Sequence, residues 1–330
     1  MRRRELLTLA ASALGLTVTM RPARAATTVT TQLQWIKDSQ NAGWFVADAE
    51  GYFRAAGIDS NVLAGGPNMS EIEAIVMAGR ADIGIDPLER VVDANNAGAD
   101  LVIIGALYQH NPLALLSLPA RPIRTARDIL GKRLGLQQGG SVYVDAIMAL
   151  NHLPKTYTEI VVGSTPDPLL QGACDGFLSF ITNEPLVLAE QGIPYVTASF
   201  DDLGYSTYMD CLFCRRDYAR TNRDALVRYM RALQHGWATS VRDPELGARL
   251  TVTTYGAGLG LNERKELATS RAQGPLMESA ATRAHGMMWI DKERVTGPVY
   301  ATLRATGRTN LPPVDRLIDT SILIDAARRA

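Results

Sequence analysis

The sequence predicts an α/β protein of two lobes with a ligand-binding cleft between them. Short apolar stretches alternate with helical patterns from residues 29–33 onward, as expected for strands connected by helices. The pattern starts again near Thr125, after a buried stretch at 101–107. A Gly-x-x-Asp turn that leads into a strand occurs once in each half, at Gly79 and at Gly172. This repetition indicates one βα unit in each lobe, although short Gly-Asp turns can also resemble each other by chance.

Strand positions follow from apolar runs bounded by Gly, Pro and Asp turns. The predicted strands cover residues 29–33, 59–63, 81–85, 101–107, 133–136, 159–162, 176–181, 195–199 and 207–214. The strand–loop–helix order predicts parallel sheets with helices on their faces. Beyond residue 217 the pattern is mainly helical. We therefore expect a discontinuous first lobe at 26–112 and 211–330, with the second lobe at 113–210.

Residues 1–25 have the pattern of an export signal. Arginines at 2–4 precede an apolar run at 6–18 that is too short to span a bilayer, and 23–25 have the small-x-small form of a cleavage site. The Arg-Arg-x-Leu-Leu order at 3–7 is typical of the twin-arginine route, with an ordinary secretory signal as the alternative. Because no cysteine lies near the cleavage site, we expect a soluble periplasmic protein without a lipid anchor.

The charge balance argues against a nucleic-acid partner. The chain carries 34 Lys plus Arg and 34 Asp plus Glu. The first 25 residues hold five of the arginines and one of the glutamates, so the remainder has a formal net charge of −4. A nucleic-acid-binding protein would need a basic surface. The remaining length suits two domains, and we expect a monomer.

Common catalytic motifs are missing from the sequence. It contains no Gly-x-Ser-x-Gly, no phosphate-binding P-loop, no dinucleotide-binding Gly-x-Gly-x-x-Gly and no His-Glu-x-x-His pair. Cys211 and Cys214 form a Cys-x-x-Cys within a predicted strand, where positions i and i+3 face opposite sides. Redox or metal chemistry is the alternative to buried structural cysteines, but no second ligand pair stands nearby. We therefore predict no catalytic residue, no metal, no cofactor and no enzymatic activity.

Polar and aromatic residues collect where the predicted strands end. Ligands bind at that edge of open α/β sheets, and two such edges facing each other form a concave site. In the first lobe the candidate ligand-binding residues are Gln34, Trp35, Asp38, Asn41, Gly43, Gly65, Gly66 and Asp86. In the second lobe they are Gly139, Gly140, Ser141, Thr165, Asn183 and Glu184. We expect Trp35 to stack on a ligand ring, whereas several of the others could simply be helix caps.

Residues 35–66 resemble the periplasmic substrate-binding proteins of ABC importers, in particular the branch that binds pyrimidine precursors of thiamine. The resemblance rests on the aromatic Trp35 after the first strand, Gly43-Trp44 at the start of a helix, Gly51-Tyr52-Phe53, Gly57-Ile58 and the Gly65-Gly66-Pro67 loop. It implies a type II periplasmic binding protein fold whose lobes close on the ligand around two crossover strands, here 109–116 and 207–214. It also implies a membrane permease and a cytoplasmic ATPase as partners.

The resemblance implies a receptor that captures a small pyrimidine-like compound and delivers it to the importer. Riboflavin, a sulfonate or a nitrate-like anion are alternatives, because relatives bind them. An anion site should be rich in Arg or Lys, and the candidate loops offer only Lys37. Eukaryotic relatives of this fold synthesise the thiamine pyrimidine with a cysteine-rich motif and iron, which Cys211 and Cys214 superficially resemble.

Glu184 is the residue for which we predict the most specific contact. It follows Asn183 at the end of a predicted strand, and Pro185 suits the first turn of a helix. No Arg or Lys adjoins Glu184 in sequence, so we expect an aminopyrimidine edge to supply the partner that a buried carboxylate needs. The alternative is that Glu184 caps the helix N-terminus, where negative charge is favourable.

Overall fold

The computed structural model describes residues 26–66, 69 and 71–328. The predicted export signal at 1–25 therefore lies outside the described residues. The strands are β1 Thr27–Gln32, β2 Ile58–Leu63, β3 Ile83–Asp86, β4 Leu101–Tyr108, β5 Leu113–Ser117, β6 Arg133–Leu136, β7 Thr158–Val161, β8 Gly176–Phe180, β9 Val196–Ser199 and β10 Met209–Arg215. They form two five-stranded sheets within this part of the chain.

Helices cover both sheets and make up most of the chain after β10. The helices are α1 Ala42–Ala49, α2 Tyr52–Ala55, α3 Ile72–Met77, α4 Leu88–Asn96, α5 Ser141–Leu150, α6 Asp167–Leu170, α7 Glu184–Glu190, α8 Arg216–Thr221, α9 Arg223–Arg242, α10 Pro244–Leu250, α11 Glu263–Met277, α12 Ala280–His285, α13 Lys292–Arg294, α14 Tyr300–Ala305, α15 Val314–Leu317 and α16 Ser321–Arg328. None of the helices described combines the length and the apolar composition needed to cross a membrane.

The first sheet has the strand order β2-β1-β3-β10-β4. β1 is parallel to β2 and β3, whereas β10 is antiparallel to its neighbours β3 and β4. The edge at which β3 and β4 end is therefore the edge at which β10 begins, and there Cys211 pairs with Asp86 and Met209 pairs with Tyr108. Residues from the end of the parallel strands and from the start of β10 are brought together at this edge.

The second sheet has the strand order β7-β6-β8-β5-β9. β6 is parallel to β7 and β8, and β5 is antiparallel to β8 and β9. The expectation of purely parallel sheets was thus wrong, because apolar periodicity identifies a strand without giving its direction. The predicted crossover at 109–116 also extended too far, since β5 belongs to the second sheet and residues 109–112 alone connect it to β4. The lobe boundaries at residues 112 and 210 stay predictions.

A hydrogen-bonded aromatic core attaches α1 and α9 to the first sheet. The indole N–H of Trp44 donates to the hydroxyl of Tyr229 at 2.8 Å, and that hydroxyl shares a hydrogen bond of 2.6 Å with Thr31 Oγ1. Trp44 also meets Trp237 edge to face, with 5.7 Å between ring centroids. Polar groups are costly to bury without hydrogen-bond partners. These two hydrogen bonds give partners to the buried indole and hydroxyl groups that lie between β1, α1 and α9.

One contact between the C-terminal helices and the second lobe lies close to the edges of both sheets. The hydroxyl of Thr269 in α11 donates to the backbone carbonyl of Thr182 at 3.0 Å. Thr182 lies between β8 and α7, and both Thr269 and Thr182 are buried. α11 also holds the loop after β1, because the Gln273 side chain donates to the Ser39 carbonyl at 2.7 Å. α11 therefore touches the loops that follow β1 and β8.

We predict that Gly236→Ala destabilises the protein, because α9 and α1 pack backbone to backbone at this residue. A Cβ atom at Gly236 would lie 2.3 Å from the Gly43 carbonyl oxygen and 2.5 Å from Ala47 Cβ. We expect a net loss of about 1–3 kcal/mol in the free energy of unfolding, which exceeds the gain in helix propensity. Urea denaturation measures it. Gly258→Ala, at an exposed site with no atom within 4 Å of the added Cβ, is the control, and equal stability of the two variants would contradict the proposed close packing.

Candidate ligand-binding cleft

A cavity of about 480 Å³ opens between the facing edges of the two sheets. The first lobe contributes residues that follow β1, residues at the end of β3 and the start of β10. The second lobe contributes the loop before α5, the end of β8 and the start of α7. The residues that line the cavity are Gln34, Trp35, Gln40, Gly66, Met69, Asp86, Pro87, Leu113, Gln137, Gln138, Gly140, Tyr143, Ser164, Leu178, Ser179, Phe180, Asn183, Glu184, Met209 and Asp210.

About half of the residues predicted from sequence lie on this one surface. They are Gln34, Trp35, Gly66 and Asp86 from the first lobe and Gly140, Asn183 and Glu184 from the second. They converge because β1, β3 and β8 all end at the cavity. Contact of these residues with a ligand stays a prediction.

The remaining first-lobe candidates support the loop after β1 and do not line the cavity. Asp38 accepts a hydrogen bond from the backbone N–H of Gln40 and is buried. Asn41 uses its amide to donate to the Ile36 carbonyl at 3.1 Å. Gly43 packs directly under the Trp237 ring, and Gly65 packs against the backbone of Gln34, where a Cβ atom would lie 2.4 Å from the Gln34 carbonyl carbon. These residues fix the shape of the loop.

The second-lobe candidates outside the cavity lining have similar local roles. Gly139 adopts a positive φ of 82° in the turn before α5, a conformation that favours glycine. Ser141 is the first residue of α5. The hydroxyl of Thr165 donates to Asp167 Oδ2 at 2.9 Å, next to Ser164, which does line the cavity. Residues next to them in the sequence line the cavity instead, namely Gln138, Gly140 and Ser164.

Aromatic side chains stand on both sides of the cleft. Trp35 is 36% exposed in the first lobe. Tyr143 and Phe180 line the cavity from the second lobe, and Tyr143 meets the buried Tyr205 edge to face with 5.7 Å between centroids. By contrast, Trp44 is part of the core. The cavity therefore offers flat apolar faces from both lobes, which suits a planar ring.

No Lys, Arg or His side chain occurs among the described residues that line the cavity, whereas three carboxyl groups do. Burial, with the nearby Glu73 carboxyl adding to it, raises the pKa of Asp86 to about 8. Burial raises the pKa of Asp210 to about 7, although the hydrogen bond from Gln34 partly opposes this. Burial also raises the pKa of Glu184. A cleft of this kind attracts hydrogen-bond donors and cations and repels anions.

Glu184 already has partners within the chain. Its Oε2 accepts from the backbone N–H of Phe180 at 2.8 Å, and its Oε1 accepts from the Asn183 side-chain amide at 2.9 Å. The expectation that Glu184 lacks a partner other than the ligand was therefore wrong, because the turn between β8 and α7 folds its own donors onto the carboxylate. Neither donor is a cation, so the lack of an adjacent Arg or Lys in the sequence gives no information about them.

Asp210 is the main cleft residue that we did not predict. It is 3% exposed, and its Oδ1 accepts a hydrogen bond of 2.9 Å from the Gln34 side-chain amide. The predicted site residues follow the ends of parallel strands, but β10 is antiparallel and meets the cleft at its beginning. The signal that could have found Asp210 is the position of an acidic residue next to Met209 at the start of an otherwise apolar strand.

Cys211 and Cys214 follow the cleft residue Asp210 in β10, but both are buried in the sheet. Both thiols are free and fully buried, and burial raises the pKa of the Cys214 thiol to about 12. Thiolates are the reactive and metal-binding form, so burial makes these two thiols unreactive. Among the described residues, no group of three or more His, Cys, Asp or Glu side chains is arranged to hold a metal ion.

Comparison with known proteins identifies both a family and a fold. A family model described as NMT1/THI5 like matches residues 38–246. A putative periplasmic sulfonate-binding protein of an ABC transporter from Methylobacillus flagellatus superposes with a TM-score of 0.67 at 14% identity, covering 92% of this chain and 95% of that one. At this identity the likeness concerns the fold, and it confirms the predicted two-lobed periplasmic binding protein fold.

Two curated relatives carry an enzyme name, 4-amino-5-hydroxymethyl-2-methylpyrimidine phosphate synthase. The protein from Legionella pneumophila is 24% identical over 223 residues, which cover 66% of this chain and 70% of the relative. The protein from Schizosaccharomyces pombe is 24% identical over 214 residues, which cover 61% of this chain and 62% of the relative. These names contradict our expectation of no enzymatic activity, which rested on the absence of common catalytic motifs.

We predict that the thermal stability of the protein falls as pH rises from about 5 to about 8. The pKa values of Asp38, Asp86 and Asp210 are raised from 3.8 to about 7, 8 and 7. The folded state therefore binds more protons than the unfolded state in this range, and the stabilisation is lost as pH rises through the folded pKa values. Asp210→Asn should make the fall in Tm smaller by at least about 2 °C, measured by calorimetry at several pH values.

Asp59→Asn is the matched control for this pH series, because Asp59 is an exposed aspartate of β2 outside the cleft. It should leave the pH dependence of Tm unchanged. A Tm that rises between pH 5 and pH 8 would contradict the raised pKa values of these buried carboxyl groups. An equal effect of both substitutions would contradict them as well.

Proposed function

The chain belongs to the NMT1/THI5-like family, and on that premise we propose that it captures a small nitrogen heterocycle of the aminopyrimidine class in its cleft and delivers it to an ABC importer. The observation that carries this proposal is the composition of the cavity. Aromatic side chains line both sides, three carboxyl groups lie between them, and no cationic side chain occurs among the described lining residues.

An aminopyrimidine suits this cavity in both shape and charge. Its planar ring can stack between the Trp35 side and the Tyr143 side of the cleft. Its amino group is a donor, and a ring nitrogen next to it can become a donor by protonation, so carboxylate and amide oxygens are suitable partners. Hydrogen bonds of this kind are strengthened when one partner is charged.

Anionic ligands suit the cavity poorly, although structural neighbours are named as sulfonate-binding proteins. A sulfonate, nitrate or phosphate group needs Arg, Lys or several N–H donors to replace its hydration. The described lining residues provide buried carboxylates instead. These anions would therefore bring like charges together in a partly dry cavity. Riboflavin remains the alternative among heteroaromatic ligands.

We propose a periplasmic location and an importer composed of a permease and an ATPase as partners. The periplasmic binding protein fold supports this, as does the export-signal pattern of residues 1–25, for which we propose the twin-arginine route. We also propose that the lobes divide near residues 112 and 210, so that the two segments that pass between the sheets form the hinge. A monomer would suffice, since the cleft is built by one chain.

Synthesis of a pyrimidine phosphate is a second candidate function, because the relatives from Legionella pneumophila and Schizosaccharomyces pombe are named for it. The cleft would then hold a precursor or product of the same heterocycle. Cys211 and Cys214 would not supply the chemistry, since neither thiol lines the cavity. The two functions differ in whether the bound compound is chemically changed.

The direct test is identification by mass spectrometry of the small molecule that stays bound to protein purified from its native compartment. We expect an aminopyrimidine, which is extracted when the purified protein is unfolded. Incubation with that compound should return it intact. Recovery of an anionic ligand would contradict the proposal, and formation of a new pyrimidine compound would establish the synthase function instead.

We predict that Trp35→Ala weakens binding of 4-amino-5-hydroxymethyl-2-methylpyrimidine by about twofold to tenfold or more. Loss of ring stacking removes about 0.5–1.5 kcal/mol in addition to the loss of buried area. Isothermal titration calorimetry measures the change in Kd. Leu259→Ala removes a large exposed apolar side chain that does not line the cavity and is the control. An unchanged Kd for a folded Trp35→Ala variant would show that Trp35 does not stack on the ligand.

A further inference from the structure

Gln34 and Asp210 meet at the cavity because β1 and β10 run in opposite directions. Gln34 follows the end of β1, and Asp210 is the second residue of β10, next to Cys211, which pairs with Asp86 of β3. The two side chains thus approach from separate strands and join in front of β3. Their hydrogen bond of 2.9 Å from Gln34 Nε2 to Asp210 Oδ1 connects residues 176 positions apart in sequence.

Asp210 is held in an uncommon backbone conformation at this site. Its φ is 52°, although it lies within a strand and is not glycine. Asp and Asn adopt this left-handed region more readily than other residues, but the conformation is still strained for them. Strained residues of this kind concentrate at functional sites. The backbone turn places the Asp210 side chain at the cavity, whereas its neighbours Met209 and Cys211 continue the sheet pairing with β4.

Two hydrogen-bond acceptors remain without partners at the Gln34–Asp210 pair. Gln34 Oε1 is buried and has no hydrogen-bond partner among the described residues. Asp210 uses Oδ1 to accept from Gln34, and no described residue donates to its Oδ2. A buried acceptor without a donor, as Gln34 Oε1 is among the described residues, destabilises the protein because it has lost its hydration. Both residues line the cavity, so a bound molecule can supply the missing donors.

The other two carboxyl groups of the cleft are already engaged. Glu184 accepts one hydrogen bond on each oxygen, from Phe180 N–H and from the Asn183 amide. Asp86 lies 4.0 Å from the Arg90 guanidinium, which gives its carboxyl group a cationic neighbour. Among the described residues, none places a cation beside Asp210, and only one of its oxygens accepts a hydrogen bond. It is therefore the carboxyl group of the cleft that is best prepared to accept from a ligand.

We propose that Gln34 and Asp210 form the selectivity subsite of the cleft, in which Asp210 Oδ2 and Gln34 Oε1 together accept hydrogen bonds from the amino-bearing edge of the bound heterocycle. This inference rests on the proposed function. It assigns to Asp210 the role that the sequence suggested for Glu184. A ring that lacks an amino donor would leave both oxygens unsatisfied, so the subsite rejects such a ring by the cost of burying them.

The test compares two ligands against two versions of the protein. The ligands are 4-amino-5-hydroxymethyl-2-methylpyrimidine and the same compound without its amino group. Asp210→Asn retains an acceptor for Gln34 and tolerates the positive φ, but it removes the charge and one acceptor oxygen. We expect this variant to bind the amino compound about tenfold or more weakly, as is typical of a hydrogen bond to a charged group. Its Kd for the compound without the amino group should change less than threefold.

A second variant, Gln34→Met, keeps the length of the side chain and removes the second acceptor. It should also weaken binding of the amino compound selectively. Gln171→Met, at an exposed glutamine outside the cleft, should change neither Kd. Thermal unfolding of each variant confirms that it is folded.

The outcomes separate this inference from the proposed function. Selective loss of the amino compound in Asp210→Asn and Gln34→Met supports the subsite. Equal weakening of both ligands, or no weakening, overturns the subsite and leaves aminopyrimidine capture intact. If the unsubstituted protein binds neither ligand, the proposed function fails and the subsite fails with it.

Discussion

The cleft depends on one electrostatic constraint. Its carboxyl groups are buried, and no described residue that lines the cavity is a cation. Asp86 belongs to β3, Asp210 to β10 and Glu184 to α7, so the fold itself gathers them from both lobes. Asp210 and Glu184 accept hydrogen bonds from neutral donors, and burial raises the pKa of Asp86. A folded protein retains such an arrangement at a cost in stability, as is common at functional sites.

The direction of β10 explains how the fold brings Asp210 close to the end of β3. It enters the first sheet between β3 and β4, and its first residues therefore lie where the parallel strands end. Tyr229 of α9 bonds to Trp44 of α1 and to Thr31 of β1, and these two elements flank the loop that carries Gln34 and Trp35. α11 holds the same loop and touches the second lobe at Thr182. The shape of the cleft thus depends on segments far apart in sequence.

The sequence allowed much of the fold to be predicted, and less of the site. Nine of the ten strands were placed near their true positions, because runs such as 101–107 and 133–136 are apolar and bounded by clear turns. β5 was missed as a sheet strand, and the direction of β10 could not be read from periodicity.

Site residues at the ends of parallel strands, such as Trp35 and Asp86, were chosen correctly as lining residues. Other candidates do not line the cavity, for a common physical reason. Asn41 and Gly43 are polar or small because the loop needs a hydrogen bond to Ile36 and close contact with Trp237, and such local needs look like binding residues in a sequence. Asp210 and the partners of Glu184 depend on tertiary contacts and strand direction, which a single sequence does not reveal.

The measurement that tests the central claim most directly is a calorimetric titration of the unsubstituted protein with 4-amino-5-hydroxymethyl-2-methylpyrimidine and, separately, with its phosphate ester. The two compounds share the ring and differ in an anionic group. An acidic cleft without lining cations should bind the unphosphorylated compound at least about tenfold more tightly, since the phosphate would be buried near carboxylates without a compensating charge. Equal or tighter binding of the phosphate ester would contradict this account of the cleft.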